Sequence, residues 1–134
     1  MQVQPYLDFN GRCGEALEFY KKAIDAKVGM VMHWKDCPDK SMSTAQNADK
    51  VMHSQFTIGD TTVMASDGRS TGQPNFSGIM LSIAVDSEAK ADKLFNGLAD
   101  GGQVTMPMGK TFFSPRFGMV ADKFGVGWMI LVAN

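Results

Sequence analysis

Near its start the chain reads Val3-Gln4-Pro5-Tyr6-Leu7-Asp8-Phe9-Asn10-Gly11, and the rest of the fold follows from how this stretch is parsed. Val3, Pro5, Leu7 and Phe9 alternate with Gln4, Tyr6 and Asp8, the period of a strand with two unlike faces. Asn10-Gly11 breaks that strand. Cys13, Leu17, Tyr20 and Ile24 then fall at steps of four, three and four, which predicts a helix over residues 12–24 with its cap near Asn10 or Gly11. Val28, Met30, Met32 and Trp34 alternate with Gly29, Val31 and His33 as a second strand. A third strand runs from Val51 to Ile58, and Gly59-Asp60 turns it tightly into a fourth over Thr61–Ser66. Residues 35–50 are polar, contain Pro38 and show no period, so they are expected to form a long loop.

The same order then returns. Residues 67–77, with Gly68, Gly72 and Pro74 and with Gly78 beside them, read as a connector. Ile79, Leu81, Ile83 and Val85 alternate with Met80, Ser82 and Ala84. Asp86 is expected to cap a second helix, whose Ala91, Leu94, Phe95 and Leu98 form an apolar stripe before Gly101-Gly102 ends it. Three strands follow, near residues 104–108, 117–122 and 127–132. The chain is therefore expected to be one α+β domain, residues 1–134, of two βαβββ units at about 3–67 and 78–132 whose mixed sheets enclose a cleft. Such a fold supplies a pocket.

Composition narrows the function. At 134 residues there is no room for two large domains, and roughly two thirds of the unfolded surface is buried at this size without disulfides or metal. Thirteen Lys and Arg against fourteen Asp and Glu, with no basic cluster, give little electrostatic drive toward nucleic acid or anionic lipid. No run approaches the roughly eighteen apolar residues of a membrane span. Met1-Gln2-Val3-Gln4-Pro5-Tyr6 lacks the basic start and apolar run of a signal peptide, so a cytoplasmic location is expected. Cys13 and Cys37 are too few and too far apart for a zinc site of C-x-x-C pairs and read as free thiols.

Several stretches resemble one family: Pro5-Tyr6-Leu7-Asp8-Phe9-Asn10-Gly11, Glu15-Ala16-Leu17-Glu18-Phe19-Tyr20, Val51-Met52-His53, Ser66-Asp67, and the run from Phe117 through Gly118-Met119-Val120-Ala121-Asp122-Lys123-Phe124-Gly125-Val126-Gly127-Trp128-Met129 to Ile130. They are similar to the PhnB-like branch of the glyoxalase/bleomycin-resistance/extradiol-dioxygenase (vicinal oxygen chelate) superfamily, over nearly the whole chain. The resemblance implies the paired βαβββ fold, a small-molecule ligand and a homodimer. It also implies a divalent metal held by His, Glu or Gln from the first and last strands of each unit. Carried over by position, those places fall near Gln4, Ala65, Met80 and Met129, with Met64, Ile79 and Ile130 as neighbours. Only Gln4 is of ligand type, and the glutamates Glu15, Glu18 and Glu88 all fall on helices. No metal and no cofactor are therefore expected. Relatives sometimes carry the name methyltransferase, but no glycine-rich nucleotide loop follows a parallel strand here.

The candidate site residues follow from their chemistry. His53 is the candidate catalytic residue, since an imidazole gains or loses a proton near neutral pH. Gln4, Tyr6, Met64, Met80, Arg116, Trp128 and Met129 are the candidate ligand-binding residues. The methionines offer adaptable apolar contact, the aromatics flat contact area, and Arg116 a bidentate partner for a carboxylate or phosphate. Gly109-Lys110-Thr111 does not complete a phosphate loop, because position 104 is Val104 where that motif needs glycine. Asp67 and Asp122 end strands and read as structural. Turnover through Gln4, His53 and Arg116, and plain sequestration of a ligand by shape and apolar area, both remain open at this point.

Overall fold

The computed structural model describes residues 1–68 and 73–133, so Gly72 of the expected connector lies outside the described residues. The chain divides into two compact units, Met1–Pro74 and Asn75–Asn134. The first runs β1 (Tyr6–Asp8), α1 (Cys13–Ile24), β2 (Lys27–His33), β3 (Val51–Ile58) and β4 (Thr61–Ser66). The second repeats the order with β5 (Met80–Val85), α2 (Glu88–Ala99), β6 (Gln103–Gly109), β7 (Phe117–Ala121) and β8 (Gly127–Val132). Each unit holds one four-stranded sheet, ordered β1-β4-β3-β2 and β5-β8-β7-β6. In each, the first and last strands pair in parallel and the other pairs are antiparallel. Two four-stranded mixed sheets with one helix apiece are the expected α+β fold. No helix among the described residues is long and apolar enough to cross a membrane.

The periodicity of α1 translates directly into packing. Cys13, Leu17, Tyr20 and Ile24 are all buried, against Leu7, Phe56, Val63 and Ala65 on the sheet. Tyr20 stacks on Phe56 with ring centroids 5.6 Å apart. In the second unit Ala91, Phe95 and Leu98 of α2 are buried with Val120, Trp128 and Ile130. The approach is close: a Cβ added at Gly118 would lie 2.9 Å from the Phe95 ring, so β7 can sit this near α2 only with glycine there.

Four local readings need correction. β1 is three residues long, not the seven from Val3, because Pro5 has no N–H for a ladder; its carbonyl accepts instead from Met64 N–H at 2.9 Å, and Val3 is left exposed. The N-cap of α1 is Arg12, with no capping side chain of its own. The N-cap of α2 is Ser87, whose hydroxyl accepts from Lys90 N–H at 3.2 Å, while Asp86 forms an ion pair with the Lys90 ammonium. The stretch 35–50 carries two 3₁₀ turns, Trp34–Asp36 and Lys40–Met42, and its base is closed by Trp34 N–H to the Lys50 carbonyl and Lys35 N–H to the Ala48 carbonyl.

What caps α1 comes from far along the chain. Asp67, buried just past β4, accepts from Gly11 N–H (2.7 Å) and Cys13 N–H (2.8 Å) with one oxygen and from Val51 N–H (2.8 Å) with the other. One carboxylate thus ties the end of β4 to the starts of α1 and β3, and a negative charge at a helix N-terminus is favourable in itself. Asp122 serves the second unit similarly, accepting from Phe124 N–H, Val126 N–H and the Trp128 indole N–H at 2.9, 3.1 and 2.8 Å.

Two outcomes are expected. Asp67→Ala strands three buried donors and should lower the unfolding free energy by about 3 kcal/mol in urea titration; a loss below about 1 kcal/mol would mean that water takes over the capping. The Cys13 thiol, wholly buried, is pushed up to about 12 by desolvation, from 9.0. A group whose folded value lies above its unfolded one favours folding while protonated, so this contribution is intact below pH 9 and is lost as the pH climbs toward 12. Urea midpoints measured across that window should fall for the wild type and fall less for Cys13→Ala.

Candidate functional site

α1 covers one face of the first sheet, and the opposite face carries the chemistry. Ser54, Phe56, Val63 and Ala65 point under the helix. The alternate residues therefore share the other face. Register places Tyr6 beside Met64, Met64 beside Gln55, and His53 beside Met32. On this face the Tyr6 phenol oxygen lies 3.0 Å from His53 Nδ1 in a hydrogen bond, with ring centroids 5.6 Å apart. Tyr6 is 50% exposed, so the pair stands at the surface of the sheet and not inside the core. When the phenol donates, the imidazole proton sits on Nε2; when Nδ1–H donates, Nε2 is an acceptor. Either way one ring nitrogen has no hydrogen-bond partner among the described residues. Gln4 lies two residues before Tyr6 and is half-buried.

The first unit also has a concave pocket of about 230 Å³, lined by Trp34, Gln46, Asn47, Lys50 and Asp67 among others. None of the candidate site residues lines it. Its polar groups are largely committed to the fold: Lys50 donates to the Gly11 carbonyl at 3.1 Å, Asn47 bridges Thr44 and Met42, and Asp67 is the cap just described.

In the second unit, Met80 of β5 and Met129 of β8 lie on the face away from α2. Trp128, Ile130 and Val132 alternate with Met129 and are buried, and Met80 is 38% exposed. Trp128 consequently belongs to the other face. It is 1% exposed with its indole N–H on Asp122, so a molecule resting by Met129 does not touch it. Arg116 stands apart from both, where its Nε–H donates to Asp92 on α2 at 2.7 Å. That hydrogen bond, with the Asp92 charge, raises the guanidinium further above its ordinary value. The structure thus brings Tyr6, His53 and Met64 onto one face and Met80 and Met129 onto another, and leaves Arg116 and Trp128 outside both groups.

The donor chemistry at the four carried-over metal positions does not fit a hard or borderline divalent ion. Ala65 has no donor and is buried beneath α1, Met80 and Met129 offer only thioethers, and Gln4 alone has an oxygen. Among the described residues no three His, Cys, Asp or Glu side chains converge. Sequence reasoning found His53 without its partner: Tyr6 is 47 residues away, and only the order β1-β4-β3 joins them. It also placed Met106 and Met119 on strands without their register, which no local signal carries.

Two kinds of likeness, to a protein family and to solved structures, bear on this arrangement. Residues 1–131 match the protein family described as 3-demethylubiquinone-9 3-methyltransferase. Protein PA1353 from Pseudomonas aeruginosa is similar at 38% identity and a TM-score of 0.88, over 99% of this chain and 98% of that one. The PhnB protein from Bacillus cereus is similar at 25% identity and a TM-score of 0.82, over 99% and 100%. A glyoxylase/bleomycin resistance protein/dioxygenase domain from Frankia sp. EAN1pec shares the fold at 17% identity and a TM-score of 0.65, over 100% and 92%.

Trp128 offers a direct check on the division of faces. Trp128→Phe keeps a buried ring but removes the indole hydrogen bond to Asp122, so it should lower the unfolding free energy by about 1–3 kcal/mol. Ligand affinity measured on the same variant should match the wild type. A change in affinity without a change in stability would put Trp128 in the binding site.

Proposed function

Given that the chain belongs to the PhnB-like family described as 3-demethylubiquinone-9 3-methyltransferase and has the fold of the glyoxalase/bleomycin-resistance type, we propose that it binds a small organic molecule on the open face of its first sheet, without the superfamily's divalent metal. The observation that carries this reading is the Tyr6–His53 hydrogen bond, a polar pair set at 3.0 Å on a face that otherwise offers Met32, Met64 and Gln55. Such a pair supports the reading in two ways. It holds the imidazole in one orientation, and it leaves the second ring nitrogen for a carbonyl, phenol or enol oxygen of the ligand. The thioethers beside it give adaptable apolar contact to the rest of the molecule. His53 is the candidate proton donor or acceptor, and Tyr6, Gln4 and Met64 the candidate contacts.

The methyl transfer named in the family's description does not enter this reading. Among the described residues, β1 leads to α1 through Phe9-Asn10-Gly11-Arg12 and β5 leads to α2 through Asp86-Ser87, and neither connection is the glycine-rich turn that cradles a nucleotide-type cofactor. Sequestration without turnover is the second reading, favoured by the face around Met80 and Met129, which has no proton-transfer group. Arg116 and Trp128 have no part in either. A homodimer that pairs or covers the sheet edges belongs to the same proposal, since exposed edge strands are ordinarily covered.

The test is a thermal-shift screen of small aromatic carbonyl and phenolic compounds, followed by affinity measurement on the hits. Tyr6→Phe and His53→Gln should each weaken a hit by about tenfold, the loss of one hydrogen bond of about 1.4 kcal/mol. Unchanged affinities in both variants would refute the site. Mass spectrometry of the hit after incubation separates turnover from sequestration. Protein incubated with Ni²⁺, Zn²⁺, Fe²⁺ or Mn²⁺ and dialysed should retain no stoichiometric metal, and a bound equivalent lost in Gln4→Ala would overturn the metal-free reading. Sedimentation equilibrium at micromolar protein should give twice the chain mass.

A further inference from the structure

Three methionines stand side by side across the second sheet. Met106 of β6 pairs with Met119 of β7, and Met119 pairs with Met129 of β8. Directly paired residues on neighbouring strands share a face, with Cβ atoms about 4.5–5.5 Å apart. The face in question is the one away from α2, because Gly118 and Val120, which alternate with Met119, meet Phe95 and the buried core. A fourth thioether reaches the same row. Met80 is paired with Gly127, two residues before Met129, and its Cγ lies 3.2 Å from where a Gly127 Cβ would be, so the absent side chain leaves it room to lie over β8.

The remaining residues of this face in register are Ser82, Ala84, Gln103, Gly109, Phe117, Ala121, Gly127 and Leu131, and none is ionisable. Met80 and Met106 are 38% and 40% exposed and Met119 and Met129 are half-buried, so solvent reaches the row without flooding it. We propose that Met106, Met119 and Met129, with Met80 in reserve, form a thioether site for a soft monovalent d¹⁰ ion, Cu(I) or its analogue Ag(I). Thioether sulfur is a soft ligand that selects Cu(I), while hard and borderline divalent ions are held by carboxylate or imidazole donors, and beside the thioethers this face offers in register only the Ser82 hydroxyl and the Gln103 amide. Methionine's three rotatable bonds let sulfurs on adjacent strands turn toward a common point. A neutral apolar surface also disfavours ions that hold their water tightly, which sets the preference in the same direction. The inference rests on the second unit alone and is independent of the Tyr6–His53 reading.

The experiment is a competition under argon, in which the full-length protein is titrated into the coloured bathocuproine disulfonate complex of Cu(I) and uptake is read from the loss of absorbance. One equivalent should transfer to the wild type. The triple variant M106L/M119L/M129L, which conserves volume and apolarity, should be weaker by about tenfold or more, since even outer partners of a metal change affinity by about 10–100-fold and these are the ligands themselves. C13A/C37A should bind as the wild type does, which separates thioether from thiol. On wild-type protein labelled at the methionine methyl carbons, Ag(I) should shift the Met106, Met119 and Met129 signals and leave those of Met1 and Met42 in place, and this readout needs no variant to fold. No uptake by the wild type, uptake lost only with the cysteines, or methyl shifts confined to other methionines would each overturn the proposal.

Discussion

The first unit hangs on one buried carboxylate. Asp67 is 5% exposed and gives its two oxygens to three backbone N–H groups belonging to the start of α1 and the start of β3. A helix begins with unpaired donors, and a buried start must find acceptors for them. α1 cannot supply them locally, since Arg12 at its N-cap has no capping side chain and Asn10 and Gly11 are spent on a left-handed turn at φ 45° and 106°. The acceptor comes from the far side of the sheet. With Asp67 in place, the Cys13-Leu17-Tyr20-Ile24 stripe is aimed at the sheet, and a short parallel β1 is pinned next to β4. The four-residue strand-to-helix link would otherwise leave the helix free to swing.

That orientation decides where chemistry can occur. One helix covers one face of a four-stranded sheet, so half of the alternating side chains in each unit are spent on packing and the other half are not. In the first unit the unspent half includes Tyr6, His53, Gln55 and Met64; in the second it includes Met80, Met106, Met119 and Met129. Ala65 and Trp128 fall on the spent side, and no change of rotamer brings them across a sheet. A shift of one residue along a strand exchanges the two halves, which is why Met64 and Ala65, adjacent in sequence, differ so completely in what they can touch.

How far the sequence could be read follows from the range of each interaction. Stripes such as Cys13-Leu17-Tyr20-Ile24 and Ala91-Leu94-Phe95-Leu98 depend on residues three and four apart, and these match the observed buried faces except at Leu94, which is half-buried. Hairpin β3-β4 depends on two residues, Gly59-Asp60, and its ends also matched. The extent of β1 was misread because alternation continues through Val3 while the capacity to hydrogen-bond stops at Pro5. Ser87 displaced Asp86 as a cap because either side chain can accept, and the backbone angle at Ser87, φ −147° and ψ 152°, chose between them. Asp67 is structural, as its place at a strand end suggests, but its partners 54 and 56 residues away leave no local trace. Tyr6 and His53 meet only through strand order, and the methionine row only through register.

The methionines at the carried-over positions then have a physical meaning beyond the loss of ligands. Replacing a carboxylate or imidazole on an exposed sheet face by alanine would leave a hole, and by leucine a rigid branched surface. Methionine fills the same space with a flexible polarisable chain whose sulfur still carries a lone pair. A face built this way trades strong, directional bonds to hydrated cations for many weak contacts that follow the shape of what arrives. The open face of the first unit carries the Tyr6–His53 pair at 3.0 Å, and that of the second has no ionisable side chain in register. Both sheets have the same strand order, yet the group suited to proton transfer stands on the first face and the row of soft, polarisable sulfurs on the second. The repeated fold therefore presents two unlike surfaces, and they differ on the side of each sheet that packing does not use.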